Sequence, residues 1–159
     1  LPFYDARRVR KIWGLEPSEG MRRKARPMLE ALDLDVELID LPGESIPLEA
    51  NSVDTVLVTY SLCTIADVLS ALEGMRRVLK PGGSLLFCEH GLAPDARVRQ
   101  WQRRLNPAWS RLAGGCNLHR DIPDLITTGG FRLTVDERMY IPGIRMLCYN
   151  YWGRAEVAR

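Results

Sequence analysis

Three features of this 159-residue sequence predict an α/β fold. Short apolar or β-branched runs alternate with stretches of helical spacing. That is the βαβ pattern of a mostly parallel sheet with helices on both faces. Several of these runs end in an acid, at Glu16, Asp40 and Glu89. The last two runs are separated only by Ile141-Pro142-Gly143-Ile144, too short for a parallel crossover, so a C-terminal antiparallel pair is expected.

The elements follow in order. Residues 11–16 (Lys-Ile-Trp-Gly-Leu-Glu) form a short apolar strand closed by an acid. Ser18 can cap a helix running to about Leu32, with Met21, Ala25, Met28 and Leu29 on the packed face and Arg22, Arg23, Lys24 and Arg26 mostly outside. Residues 36–40 are the next strand, ended by Leu41-Pro42-Gly43, and Val53–Thr59 is a buried β-branched strand. Residues 67–79 carry Val68, Leu69, Leu72, Met75, Val78 and Leu79 at helical spacing, and Lys80-Pro81-Gly82-Gly83 breaks the helix before a strand over 84–89. Residues 95–112 are a basic amphipathic stretch, interrupted or kinked at Pro107. Asp121 caps a short helix with Pro123 in its first turn, ending at Gly129-Gly130. Strands over Phe131–Tyr140 and 145–157 complete the chain.

Composition narrows the class. With 22 Lys+Arg against 20 Asp+Glu the net charge is +2, and 46% of residues are hydrophobic. Disorder and collagen-like repeats are excluded, and no global charge draws the chain to nucleic acid. No apolar run approaches the roughly 20 residues of a membrane span. The opening Leu1-Pro2-Phe3-Tyr4-Asp5, with Arg7-Arg8 behind it, lacks the apolar core of a signal peptide. A single domain over 1–159 is expected, in the cytoplasm. Cys63, Cys88, Cys116 and Cys148 lie 25, 28 and 32 residues apart, without the close spacing of a zinc site or a redox pair. They are expected as reduced structural thiols, with no metal.

Open α/β sheets bind ligands beyond the carboxyl ends of their strands. An acid there, beside an adenosine, can accept hydrogen bonds from both ribose hydroxyls. In dinucleotide sites it follows a glycine-rich turn by about 20 residues. Glu16 fits that acid, although it can equally be the plain end of an exposed strand before Pro17. The 159 residues contain no such turn and do not start with Met, so a first strand and its loop are expected to be missing and the chain to be a fragment.

Beyond Glu16 the order is Glu16-Pro17-Ser18, Gly43-Glu44-Ser45-Ile46-Pro47, Ser52-Val53-Asp54-Thr55-Val56, and Leu79-Lys80-Pro81-Gly82-Gly83-Ser84-Leu85-Leu86. Glu89-His90 and Gly115-Cys116-Asn117-Leu118-His119-Arg120 come later. This series resembles the class I S-adenosylmethionine-dependent methyltransferases across essentially the whole chain. Its nearest likeness is to the small methyltransferase-like proteins that act on thiols, lipids or quinone-type molecules. The resemblance implies a Rossmann-like fold and S-adenosyl-L-methionine as cofactor. It implies that Glu16 holds the ribose hydroxyls, that Pro17 and Ser18 flank the adenine, and that the backbone at Gly43 and Glu44 meets the adenine edge. Pro42 stands where the family often carries an acidic or polar residue. Tyr60 and Ser61 match the residues lying along the methionine part of the cofactor.

On the acceptor side His90 is the candidate base, by its place past a strand end and its near-neutral pKa. The alternative is a histidine that only hydrogen-bonds a loop. His119 and Cys116 are candidate substrate residues, against a polar-loop histidine and an inert buried thiol. Trp101 belongs to the stripe Val98, Trp101, Leu105, Trp109 and Leu112, which can pack on the domain, form a lid over an apolar acceptor, or touch an anionic membrane surface through 97–112. The expected partner is a small-molecule acceptor, not nucleic acid. The competing functions are a nicotinamide or flavin nucleotide-binding enzyme and a non-catalytic remnant of the methyltransferase fold.

Overall fold

A parallel strand pair joined by one helix organises the first part of the computed structural model, which describes residues 4–158 in two units, Leu1–Ile46 and Pro47–Arg159. Leu1-Pro2-Phe3 of the opening segment considered above lies outside the described residues. β1 (Lys11–Leu15) pairs with β2 (Asp35–Ile39) in parallel, from Lys11↔Asp35 to Leu15↔Ile39. α1 (Glu19–Glu30) makes the crossover. It starts where the Ser18 hydroxyl oxygen accepts the Met21 N–H at 3.3 Å, with Glu19 in the first turn against the positive helix end.

The face of α1 differs from expectation. Met21 and Met28 are exposed, while Arg22 is turned inward. Its guanidinium donates to the Glu16 carbonyl at 2.6 Å and bidentately to Asp40 at 2.5 and 2.8 Å. One long cation thus ties together the carboxyl ends of both strands, which rotates the helix about this anchor rather than about its methionines.

The second unit holds β3 (Val53–Thr59), α2 (Val68–Val78), β4 (Leu79–His90), α3 (Ala96–Leu112), α4 (Ile122–Thr128), β5 (Phe131–Tyr140) and β6 (Tyr149–Val157). Its four-stranded sheet has the order β3-β4-β6-β5. β3 and β4 are parallel; β6 runs antiparallel to β4 and to β5, the latter as the short connection between them requires. Leu85, Phe87 and Glu89 alternate onto the buried face of β4, below Leu72, Met75 and Val78 of α2 and beside Ile122, Ile126 and Phe131. Asp67 caps α2 by accepting the Ser70 N–H at 3.1 Å, and Asp121 caps α4 by accepting the Asp124 N–H at 3.3 Å.

Two strand starts move and one expected break is absent. β4 begins at Leu79, five residues before the predicted start at Ser84, because Leu79 already pairs with Val53. Residues 80–83 are then a register shift inside the strand, with Gly82 at φ 81° taking the turn. α3 runs unbroken through Pro107. The last strand begins at Tyr149 because 145–147 form a 3-10 turn, closed by Leu147 N–H on the Ile144 carbonyl at 2.8 Å.

Gly153 of β6 leaves no room for a side chain against β5. A Cβ there would sit 2.0 Å from the Val135 carbonyl oxygen and 2.9 Å from Phe87 Cζ. Backbone cannot yield as a flexible side chain can. Gly153→Ala is therefore expected to destabilise the second unit by about 3 kcal/mol or more, the upper end of overpacking costs. Urea unfolding checks this; a variant within 1 kcal/mol of the parent would contradict it.

Candidate active site

The loop leaving β3 is held from two sides. At its start Tyr60 adopts φ 51°, a left-handed conformation uncommon for a non-glycine residue. Its N–H bonds the Cys88 carbonyl at 2.9 Å and its hydroxyl donates to Asn150 Oδ1 at 2.8 Å. From below, Glu89 Oε1 accepts the N–H groups of Ser61 at 2.7 Å and Leu62 at 3.0 Å. From the other side Arg120 donates to the carbonyls of Leu62, Ile65 and Ala66, the last two at 2.7 and 3.4 Å. An acid satisfies the loop's donors and a base its acceptors.

Asn117 completes the clamp. Its N–H and its Nδ2 both donate to the Cys63 carbonyl, at 2.8 and 3.2 Å. Asn106 of α3 in turn donates to Asn117 Oδ1 and accepts the Leu118 N–H at 2.7 Å. The segment Gly115-Cys116-Asn117-Leu118-His119-Arg120 is thus chiefly a positioning device. Leu118 fills the core with Cys63 and Cys116, while His119 is exposed.

His90 ends β4 beside this clamp. Its Nε2 lies 3.1 Å from Cys116 Sγ, and its Nδ1 is buried with no partner among the described residues. Trp109 Nε1–H donates to the same sulfur at 3.3 Å. Burial holds the imidazole below its ordinary pKa, which keeps it neutral, and pushes the Cys63 thiol up to about 12. Cys63, His90 and Cys116 therefore form one group, although their spacing in sequence showed no metal or redox pattern.

In the first unit Glu16 stands at the carboxyl end of β1. Its N–H bonds the Ile39 carbonyl at 3.1 Å, and its Oε1 accepts the Ser18 N–H at 2.8 Å. That bond orients the carboxylate just outside the strand, with Pro17 and Ser18 following it in the turn to α1. Gly43 and Glu44 belong to the turn closed by Ser45 N–H on the Pro42 carbonyl at 3.0 Å.

The apolar stripe of α3 turns inward only in part, through Trp109 packed on the Cys63, Cys116 and Leu118 cluster. Trp101 is 54% exposed under the Arg104 guanidinium, and Leu112 is exposed as well. The helix buries Gln102 and Asn106 instead. Gln102 accepts the Ala93 N–H and donates to the carbonyls of Gly91 and Met146, each at 3.0 Å. Buried loop backbone needs polar partners, and the two amides supply them where an apolar stripe cannot. Sequence reading missed Cys63, Gln102, Asn106 and Asn117; only the recurring Asn-Leu-x-Arg pattern hinted at the last.

Glu89 is fully buried, with Oε2 unpartnered among the described residues. Burial raises its pKa, opposed by the N–H groups of Ser61, Leu62 and Cys63. Glu89→Ala, which orphans the loop donors, is expected to cost about 2–4 kcal/mol. Because the folded pKa lies above the unfolded one, the folded state retains the proton longer. The carboxyl's contribution to stability is greatest below about pH 4.3 and falls as pH rises through the folded pKa. The stability of the parent relative to Glu89→Gln should therefore decline over that window in urea titrations. A rise would contradict the assignment.

The family defined as methyltransferase domain matches residues 2–87. Thiol S-methyltransferase TMT1B of Rattus norvegicus is 40% identical over 115 residues, 70% of this chain and 47% of that protein. Demethylmenaquinone methyltransferase of Bacillus mycoides is 38% identical over 80 residues, 50% of this chain and 34% of that protein. The chain spans about half the length, or less, of these curated relatives. A SAM-dependent methyltransferase structure from Methanosarcina mazei aligns with a TM-score of 0.70 at 16% identity, over 93% of this chain and 82% of that one. The trans-methyltransferase CalH, solved with SAH, aligns at 0.64 and 25% identity, over 92% and 42%. The fold is therefore the Rossmann-like one of these methyltransferases, and with more than half its residues matched the chain belongs to the methyltransferase-domain family.

Proposed function

We propose that the protein transfers a methyl group from S-adenosylmethionine to a small apolar acceptor, a thiol, lipid or quinone-like molecule. The observation that carries this reading is Glu16: an acid at a strand's carboxyl end, oriented by the Ser18 N–H at 2.8 Å, inside the family match. A carboxylate so held fits the two hydroxyls of a ribose. Pro17, Ser18 and the backbone of Gly43 and Glu44 would hold the adenine, and Tyr60 and Ser61 the methionine part. The relatives' names support a thiol or a quinone-type acceptor, and they favour methyl transfer over nicotinamide or flavin chemistry.

Bound S-adenosylmethionine supplies an already activated methyl group, so the protein's work is to align an acceptor with it. A thiol must also lose its proton. His90, neutral through burial, is our candidate to take it, with Cys116, His119 and Trp101 as candidate acceptor-side residues. Four free cysteines support a reducing, cytoplasmic home.

Calorimetric titration of S-adenosylhomocysteine into the chain tests the cofactor reading. Micromolar binding is expected, weakened at least tenfold by Glu16→Ala. Binding indifferent to Glu16 would remove the ribose assignment. No binding at all would favour the non-catalytic reading.

The exposed side of α3 supports a second, separate role. Trp101, Leu105 and Leu112 are exposed beside Arg97, Arg104 and Arg111. Among the described residues no helix is long and apolar enough to cross a membrane. We propose peripheral contact with an anionic bilayer through this helix. Sedimentation with phosphatidylserine vesicles should carry the protein down at low salt and lose it in Trp101→Ala with Leu112→Ser; equal sedimentation of parent and variant would refute it.

A further inference from the structure

Three soft donors from distant parts of the chain meet at one point. Cys63 comes from the loop after β3, His90 from the end of β4, and Cys116 from the loop after α3. One ligand atom from each lies within 4.8 Å of the others. Tetrahedral zinc, with bonds of about 2.3 Å to sulfur and about 2.0 Å to nitrogen, spaces such donors about 3.6–3.8 Å apart. The observed 3.1 Å between Cys116 Sγ and His90 Nε2 needs only a small opening to reach that geometry.

The surroundings are those of a built site. Both hydrogen bonds from Asn117 to the Cys63 carbonyl fix the segment carrying Cys116 against the segment carrying Cys63. Trp109 donates its N–H to Cys116 Sγ at 3.3 Å, which fixes the position of that sulfur. Both cysteines are free and buried, Cys63 at 2% and Cys116 at 9% residue exposure. Thiolate and imidazole select zinc over magnesium or calcium, whose preferred donors are oxygens.

We propose that Cys63 Sγ, His90 Nε2 and Cys116 Sγ form a three-donor zinc site. Binding converts two thiols to thiolates and releases two protons, leaving the two ligand charges to balance the dication. The three donors leave the fourth tetrahedral corner to a non-protein ligand. With Nε2 on the metal, His90 can no longer accept a proton. Zinc then withdraws the base assigned above, so the loaded protein is a form with restrained transfer. That consequence rests on the methyltransferase reading; the site itself does not.

The test is a titration of the reduced, chelator-stripped full chain with cobalt(II), followed by zinc. One equivalent is expected to give a sulfur-to-cobalt charge-transfer band and intense tetrahedral d–d bands, both displaced by zinc. Cys63→Ser and Cys116→Ser should each weaken binding at least a hundredfold, whereas Cys88→Ser and Cys148→Ser should not. If either ligand variant fails to fold, zinc-edge X-ray absorption on the parent protein decides: two sulfurs, one imidazole nitrogen and one ligand from solvent or buffer support the site, and any other number of sulfurs or imidazoles overturns it. Absence of the charge-transfer band, or a band surviving both ligand variants, also overturns it. Cofactor binding by calorimetry is independent of these readouts, so the two assignments fail separately.

Discussion

The buried carboxylate of Glu89 is the point on which the second unit's candidate site depends. It sits at the end of the strand that occupies the middle of the sheet, parallel to β3 on one side and antiparallel to β6 on the other. By accepting the N–H groups of Ser61 and Leu62 it dictates the path of the loop leaving β3. A carboxylate kept from water is costly unless hydrogen-bonded, and those backbone donors are what make the burial tolerable. Once that path is set, Cys63 faces Cys116, and the next residue of β4 brings His90 to the same place. The chemistry of this corner is a consequence of where one acid is buried.

The opposite side of the loop shows the complementary rule. Carbonyls at the end of a short loop need donors, and a guanidinium with its planar fork can serve several at once. Arg120 does this for three carbonyls, and Arg22 in the first unit does the equivalent by joining the Glu16 carbonyl to Asp40. In each unit a single arginine secures the region just beyond the strand ends. Neither is a reacting group, yet both determine where candidate ligand-holding residues stand.

α3 makes the same point with neutral amides. Its buried side presents Gln102 and Asn106 to the backbone at Gly91, Ala93, Leu118 and Met146 and to the side chain of Asn117. Polar groups satisfied in this way specify one docking geometry, whereas an apolar stripe tolerates sliding. The tryptophan and leucines displaced from that face are left on the outside, available to an acceptor or a bilayer.

Much of this protein could be read without coordinates. The alternation of runs, the caps at Ser18 and Asp121, and the short link before the last strand determined the elements and the antiparallel closure, because these are local effects of propensity, capping and chain reach. The order of motifs carried the family resemblance, and Glu16 could be singled out by its place after a strand. What required the tertiary structure were relations between residues far apart. Leu79 joins β4 because Val53 is there to pair with it, and Arg22 turns inward because Asp40 awaits it. α3 buries amides because loop backbone elsewhere lacks partners. Cys63, His90 and Cys116 become neighbours only when three segments are drawn around Glu89 and Asn117. Spacing along a chain records periodicity and turns; it carries no record of which distant groups will share one buried volume, since that is decided by packing and by hydrogen bonds made across the fold.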